Sequence, residues 1–370
     1  MIAVLPYCRI AVFPYCPTAV KQPGRLPIGG LASHREQLEL SYSGEGTFLI
    51  PLLRHFLQMA MPVTVQTERW SDVARRVARG IRRRVLEYVL RHDGGYLSQA
   101  CSAAEILATL YTHVMRLGPS QGPMIPRPFP GVPGPNRPLA GWGGLYNGPR
   151  APDLDRLIFS PVHYALALYA TLIEVGRLAP EALEMFNQDG STVEMIGAEH
   201  SPGIEVTAGS LSQAISVAGG IALARKLRGE TGRVWVFMSD GELQEGQTWE
   251  ALLAMAHYRL DNVGIYIDAN GQQCDGRIET VMNIEPIAAK LEAFGACVVE
   301  VDGHDVEALA ASAERPHPGR PLVVVCRTDP CRGIEPLRER APKLHYVRFR
   351  SEAERAVYRA VLAQMEAGDE

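Results

Sequence analysis

Apolar residues recur at helical spacing in the first part of the chain that carries a clear pattern. Val73, Val77, Ile81, Val85 and Val89 follow one another at intervals of four residues, which places them along one face of a helix. Arginines fill much of the remaining circumference of this segment. The pattern predicts an amphipathic helix with one buried stripe and a solvated or interfacial basic face.

A second helix start is indicated by Ser102-Ala103-Ala104-Glu105, which has the spacing of a capping box. Ile106, Leu107 and Leu110 follow it and would share one side of the helix. We therefore expect a helix to begin at about Ser102 and to bury this apolar side.

Later in the chain, short apolar runs alternate with amphipathic segments. The runs are continuous rather than alternating, which is typical of strands covered on both faces. We predict strands at 233–238, 263–268, 297–301 and 321–326. We predict helices at 163–176, 211–227, 246–258, 285–293 and 305–314. The expected fold class is α/β, with three layers (α/β/α) and a mostly parallel sheet.

Composition and charge narrow the class of partner. The 370 residues are 46% hydrophobic and carry a formal net charge of −4, which favours a buried core and gives no basis for binding nucleic acid. No apolar run approaches the roughly 20 residues of a membrane span. The seven cysteines are scattered and form no C-x-x-C pair, so we predict reduced thiols and a cytoplasmic location.

Two segments lack a periodic pattern. We expect residues 1–60 to be a poorly ordered extension or upstream sequence included by a wrong start codon; a real appendage or targeting element is the alternative. Residues 118–152 are dense in proline and glycine and predict a long loop, serving as a lid, an interface arm or a spacer. Residues 61–370 would then form the folded domain, including this loop.

Oxygen-bearing side chains follow two of the predicted strands. Asp240 comes just after the run 233–238, and Asn270 comes just after 263–268. Ligands bind outside the carboxyl ends of parallel strands, so these side chains would lie at one edge of the sheet. With the carbonyl of Gln272 they suit a magnesium ion that carries a diphosphate. The alternative is that Asp240 caps a helix and Asn270 shapes a turn.

Ordered motifs around these residues resemble the transketolase family. The segment that resembles its thiamine diphosphate motif is Asp240-Gly241-Glu242-Leu243-Gln244-Glu245-Gly246, followed by Asp268-Ala269-Asn270. Three further blocks resemble the family in order: His92-Asp93-Gly94-Gly95-Tyr96-Leu97-Ser98, Arg156-Leu157-Ile158-Phe159-Ser160-Pro161-Val162-His163, and Pro202-Gly203-Ile204-Glu205-Val206-Thr207-Ala208-Gly209-Ser210-Leu211. Several blocks in the same order make the resemblance specific.

The resemblance implies the diphosphate-binding domain of the thiamine diphosphate-binding fold, with thiamine diphosphate and Mg²⁺ as cofactors. It implies the metal ligands Asp240, Asn270 and Gln272. The cofactor-binding residues it implies are His163, Gly209, Ser210, Leu211, Asp240, Gly241, Glu242 and Asn270. The catalytic residues it implies are His92, His163, His200, His345 and Glu245.

The resemblance covers only the N-terminal half of a full transketolase. It implies the N-terminal subunit of a split, two-component enzyme, which transfers a two-carbon ketol unit from a ketose (or its phosphate) to an aldose. The partner implied is a second subunit with the pyrimidine-binding and C-terminal domains, in a heterotetramer. Neither nucleic acid nor a membrane is an expected partner.

Departures from the family pattern keep two alternatives open. Ser239, Ser212 and Ala214 stand where the family has glycine, and Asp93 follows His92 where the family has proline. Extra side-chain atoms at glycine positions would crowd a close backbone approach to a cofactor. One alternative is another thiamine diphosphate enzyme component that acts on a 2-oxo acid. The other is a catalytically silent scaffold subunit of the same fold.

Overall fold

The protein is described here by a computed structural model that covers residues 68–132, 134–135 and 141–368. All of these residues fall within one unit, Gln66–Glu370. The predicted extension, 1–60, lies outside the described residues, as do six positions of the predicted 118–152 loop.

A parallel sheet of five strands forms the centre of the described unit, in the order β1-β2-β3-β7-β6. Its strands are β1 (Arg156–Phe159), β2 (Val234–Ser239), β3 (Val263–Ala269), β6 (Cys297–Asp302) and β7 (Leu322–Arg327). A separate antiparallel hairpin consists of β4 (Gln272–Gln273) and β5 (Gly276–Arg277).

Helices flank this sheet on both sides. They are α1 (Trp70–Arg91), α2 (Leu97–Thr109), α3 (Ala165–Glu174), α4 (Gln213–Leu227), α5 (Gly246–His257), α6 (Ile278–Val281), α7 (Ile287–Ala293), α8 (Val306–Ala313) and α9 (Glu352–Ala367). One turn of π-helix, Leu110–Val114, extends α2. The 3₁₀ segments are Gly143–Asn147, Val162–Tyr164, Pro180–Met185, Asp240–Gln244 and Glu335–Arg340.

Two apolar cores, one on each face of the sheet, make the three layers. Trp235 and Phe237 of β2 pack on the side of α1, α2, α3 and α8. Val236 and Met238 of the same strand pack on the side of α4, α5 and α7. Successive residues of a strand point to opposite faces, so both faces are apolar and the runs are continuous. The predicted α/β fold with a parallel sheet is confirmed.

The predicted helix start at Ser102 is wrong, because α2 begins at Leu97 and Ser102 lies in its middle. Ser102 and Glu105 have distant partners instead of capping partners. The Ser102 hydroxyl donates to Asp268 Oδ2 at 2.5 Å, and Glu105 Oε2 lies 2.9 Å from His304 Nδ1. A capping-box spacing alone cannot distinguish a helix start from a helix whose polar side chains face a buried site.

No helix in the described part of the chain is long and apolar enough to cross a membrane. The cysteines of this part carry free thiols: Cys101, Cys274, Cys297, Cys326 and Cys331. The described residues of the 118–152 loop include the 3₁₀ turn Gly143–Asn147, where Tyr146 and Asn147 are buried.

Candidate functional site

A cavity of about 290 Å³ lies at the carboxyl edge of the sheet. Its walls come from the ends of β2 and β3, the β4–β5 hairpin, the start of α2 and the segment around His345. The predicted site residues that line it are His163, Gly209, Leu211, Asp240, Gly241, Glu245, Asn270, Gln272 and His345. The structure therefore brings most of the predicted residues to one place.

Asp240 is the most constrained of these residues. Its side chain is 2% exposed, and its Oδ2 accepts the backbone N–H of Gly271 at 2.7 Å. Its other oxygen, Oδ1, is buried without a hydrogen-bond partner among the described residues. Burial, and then the charge of Asp268, raises the pKa of Asp240 well above its usual range. An unpartnered buried carboxylate oxygen beside a cavity suits a cation, which would restore the charged form.

Asn270 is held in one orientation by its neighbours. Its Nδ2 donates to Tyr164 Oη at 2.9 Å and to Asp268 Oδ2 at 3.1 Å. Its Oδ1 accepts the backbone N–H of Gln272 at 2.9 Å. The reversed amide would place its oxygen against the Asp268 carboxylate, which is unfavourable. The carbonyl oxygen of Asn270 is therefore kept on the side away from Asp268.

Asp268, whose own role sequence reasoning missed, is the hub of this arrangement. Its side chain is fully buried and accepts hydrogen bonds from the hydroxyls of Ser102, Tyr164 and Thr328 in addition to the amide of Asn270. Burial raises its pKa, although these donors oppose the shift. Asp268 thus orients Asn270 while its own oxygens are satisfied inside the protein.

The donor set fits a hard cation with a diphosphate. The side-chain oxygen Oε1 of Gln272, which lines the cavity, is buried and unpartnered among the described residues, like Oδ1 of Asp240. Carboxylate and carboxamide oxygens are the ligands that magnesium prefers. Among the described residues, no cluster of three or more His, Cys, Asp or Glu side chains is arranged to hold a metal ion.

Two neutral imidazoles form another wall. The rings of His163 and His345 lie 5.0 Å apart, centroid to centroid. Burial, with a smaller contribution from His345, lowers the pKa of His163 to about 3, and burial also lowers that of His345. Gln99, which sequence reasoning missed, donates to the backbone carbonyl of His345 at 3.2 Å. Each neutral ring can donate one hydrogen bond and accept one.

The structure does not bring His92 and His200 to the described walls of this cavity. The His92 ring stacks on Tyr88 at 4.1 Å, just after α1, and its Nε2 lies 3.8 Å from Glu184. The Nε2 of His200 lies 2.7 Å from Glu194. Both histidines have local acidic neighbours where they stand.

Ser210 and Glu242 also lie outside those walls. Ser210 is exposed, whereas Glu242 is fully buried and its carboxylate accepts the backbone N–H groups of Ser212 and Ser239, both at 2.9 Å. Ser239 and Glu242 form a reciprocal capping box at the 3₁₀ segment that starts with Asp240. Glu242 therefore fixes the turn that presents Asp240.

Ser212 has a left-handed backbone conformation, with φ of 64°. Such a conformation favours glycine, which is the family residue at this position. Its hydroxyl donates to the backbone carbonyl of Glu242 at 2.8 Å and lies 2.7 Å from Thr248 Oγ1. These contacts explain how serine is accommodated at this position.

Comparison with known proteins gives a consistent result. The family described as transketolase, thiamine diphosphate binding domain, matches residues 146–345. A putative uncharacterized transketolase family protein, y4mO, of Sinorhizobium fredii is 35% identical over 276 residues, 73% of this chain and 88% of that protein. One subunit of the apulose-4-phosphate transketolase of Actinobacillus succinogenes is 31% identical, over 74% of this chain and 91% of its own length.

Two more relatives extend the comparison. The 6-deoxy-6-sulfo-D-fructose transketolase subunit SqwG of a Clostridium species is 30% identical over 67% of this chain and 82% of its length. The solved transketolase from Leishmania mexicana superposes with a TM-score of 0.56 and 25% identity. That match covers 80% of this chain but only 45% of the Leishmania chain. The similarity thus spans nearly all of the subunit-type relatives and less than half of the solved enzyme.

Proposed function

Because the chain belongs to the transketolase family, we propose that it is the diphosphate-binding, N-terminal subunit of a two-component transketolase. The enzyme would transfer a two-carbon ketol unit from a ketose, or its phosphate, to an aldose, with thiamine diphosphate and Mg²⁺. The observation that carries the proposal is Oδ1 of Asp240, which has no hydrogen-bond partner within the described part of the chain, in a residue that lines the same cavity as Asn270. We propose that the thiamine diphosphate-binding domain comprises residues 61–370.

Each predicted site residue that lines the cavity has a proposed role. Asp240, Asn270 and the main-chain carbonyl of Gln272 would hold Mg²⁺, and Gly209, Leu211 and Gly241 would lie against the cofactor. Thiamine diphosphate, when bound, would supply a nucleophilic thiazolium carbon for the ketose carbonyl and a ring that can take up the electron pair left when the carbon–carbon bond breaks. His163 and His345 would contact the reacting groups from this chain, and Glu245 would face its counterpart across a subunit interface.

The two neutral histidines suit hydrogen bonding to a sugar. With a pKa of about 3, His163 is uncharged at neutral pH and can donate to one hydroxyl or carbonyl oxygen while accepting from another group. In a partly buried cavity such hydrogen bonds are stronger than in water. In this proposal the two imidazole rings orient the ketose and the aldose and hold protons at the sugar hydroxyls.

A second subunit is part of the proposal. Two relatives of similar length are named as transketolase subunits, and the solved transketolase is more than twice as long as the matched region. The partner would supply the pyrimidine-binding and C-terminal domains and complete the cavity, in a proposed heterotetramer. The cytoplasmic location stays a prediction.

The test is a reconstitution. The chain, a partner with the missing domains and their mixture are each assayed for two-carbon transfer from a ketose to an aldose, with and without Mg²⁺ and thiamine diphosphate. We expect turnover only in the mixture with both cofactors. Turnover by the chain alone would contradict the two-component proposal, and a mixture that binds no thiamine diphosphate would contradict the cofactor proposal.

A second candidate is a silent scaffold subunit of the same fold. The observation in its favour is that His92 and His200 lie outside the described cavity walls. The Oδ1 of Asp240, which has no hydrogen-bond partner among the described residues, argues against it, since a scaffold needs no cation site. Cofactor binding by the mixture without any two-carbon transfer would favour the scaffold.

A further inference from the structure

We propose that Asn270 is a latent deamidation site and that the hydrogen bond between Gly271 and Asp240 keeps it intact. The chain contains two Asn-Gly pairs, Asn147-Gly148 and Asn270-Gly271. The second pair lies in the cavity, at a proposed metal ligand. The inference goes beyond the proposed function, because its chemistry needs no cofactor, substrate or partner subunit.

The reaction is intramolecular and needs only water. The backbone nitrogen of Gly271 forms a bond to Cγ of Asn270, and the side-chain amide leaves as ammonia with the proton that this nitrogen loses. Water then opens the cyclic imide at either carbonyl, which gives aspartate or isoaspartate at position 270. Glycine favours the attack because no Cβ hinders the approach of its nitrogen.

The attacking nitrogen is restrained in this structure. The Gly271 N–H donates to Oδ2 of Asp240 at 2.7 Å, and Asp240 is 2% exposed. To attack, the nitrogen must give up the proton that makes this hydrogen bond. Loss of that proton would leave Oδ2 of the buried Asp240 side chain without its donor, which costs free energy. The contact with Asp240 therefore lowers the reactivity of the pair.

The side chain that would be attacked is restrained as well. The amide nitrogen of Asn270 donates to Tyr164 and Asp268, and its oxygen accepts from Gln272. An aspartate at this position would have no N–H to donate to Asp268 and would place a second carboxylate beside it. Deamidation would therefore break the arrangement that orients the proposed ligand.

The other Asn-Gly pair is an internal control. Asn147 is 1% exposed, and its Oδ1 accepts the hydroxyl of Tyr111 at 2.9 Å. The N–H of Gly148 donates to the backbone carbonyl of Leu145 at 3.0 Å. None of these contacts involves Asp240, so Asn147 responds to unfolding but not to the loss of the Asp240 carboxylate.

The experiment follows both asparagines by peptide mass spectrometry, as a mass gain of about one dalton. The full chain without cofactor is incubated in mildly alkaline buffer, folded or in urea, next to folded Asp240→Ala. We expect both sites to stay intact in the folded wild type and both to react in urea. In Asp240→Ala, Asn270 should react roughly tenfold to a hundredfold faster, the ratio for losing one buried hydrogen bond, while Asn147 stays intact.

Asn270 that reacts no faster in Asp240→Ala, or that reacts equally fast in folded and urea-unfolded wild type, would overturn the proposal. If Asn147 also reacts in the variant, the variant has unfolded, and hydrogen exchange of the wild type decides instead. Slow exchange of the Gly271 N–H supports the protective role of its hydrogen bond to Asp240, and fast exchange contradicts that role. Failure of the wild type to bind thiamine diphosphate would refute the proposed function and leave these rates unchanged.

Discussion

The predicted site residues at strand ends line the cavity, whereas only some of those in loops do. Asp240 and Asn270 follow adjacent parallel strands whose register pairs Ser239 with Asp268. The paired strands fix where both side chains emerge. His92 and His200 stand in irregular segments, and each has an acidic neighbour outside the described cavity walls.

The two regions differ in how many of the predicted site residues this chain itself brings to the cavity. The strand-end region holds a buried carboxylate, an oriented amide and the network that fixes them. The loop region contributes only part of the predicted histidine set. We infer that the proposed cation site is preorganised within this chain, whereas the sugar-binding side depends more on the partner subunit.

The largest expected effect is at the strand ends. Asn270→Ala removes a proposed magnesium ligand, so Mg²⁺-dependent binding of thiamine diphosphate should weaken by at least about a hundredfold. Isothermal titration calorimetry measures this affinity, with thiamine diphosphate and Mg²⁺ titrated into the chain mixed with its partner subunit. The control is His200→Ala, outside the described cavity walls, which should bind normally. Unchanged affinity in Asn270→Ala would place the cation elsewhere.

The next effect separates the histidines. His163→Gln in the assembled enzyme should lower kcat by roughly a hundredfold or more, because a hydrogen-bonding ring in the cavity is lost. His92→Gln should leave kcat within about twofold, since its ring packs against Tyr88 outside the described walls. Steady-state kinetics on both variants decides. Equal losses of kcat in the two variants would mean that lining the cavity does not distinguish His163 from His92.

A smaller effect tests the orienting network. Tyr164→Phe removes the hydroxyl that accepts from Asn270 and donates to Asp268, so the Mg²⁺ concentration for half-maximal cofactor binding should rise roughly tenfold. Tyr169→Phe is the matched control, because that hydroxyl donates to the Glu194 carbonyl instead. An unchanged magnesium requirement in Tyr164→Phe would show that the amide of Asn270 needs no such support.

The smallest effect near neutral pH is a pH dependence of stability. The folded-state pKa of His163, about 3, lies below the ordinary value of about 6.5, so the unfolded chain binds more protons between these values. The free energy of unfolding should therefore fall as the pH drops below about 6.5, by at most about 1.4 kcal/mol per pH unit from this residue.

Urea unfolding of the wild type and of His163→Gln over this range isolates that contribution, because other buried groups titrate in both proteins. We expect a shallower loss of stability in the variant. Parallel curves for the two proteins would mean that His163 is not kept neutral by the fold.

The sequence predicted the strands and their ends better than it predicted the contacts made by loops and buried polar groups. Continuous apolar runs identified four of the five sheet strands, since burial on both faces leaves a direct trace in composition. Strand β1 was missed because it has four residues. Asp240 and Asn270 both line one cavity, because the ends of parallel strands share an edge of the sheet.

The rest depended on contacts between distant segments. Ser102 has the spacing of a helix cap, yet its hydroxyl binds Asp268, which is 166 positions away. Glu242 belongs to the cofactor motif, yet its carboxylate is used to hold the turn before Asp240. Sequence spacing reports which residues are near one another along an element, and it does not report which distant partner a buried polar group will find.

The central claim is that two neighbouring strand ends jointly hold a divalent cation. Crystals grown with thiamine diphosphate and Mn²⁺ in place of Mg²⁺ test it through the anomalous signal of the metal. We predict a single strong peak in the cavity, within coordination distance of Oδ1 of Asp240 and Oδ1 of Asn270. A metal peak away from these atoms, or bound cofactor with both side chains turned from the metal, would contradict it.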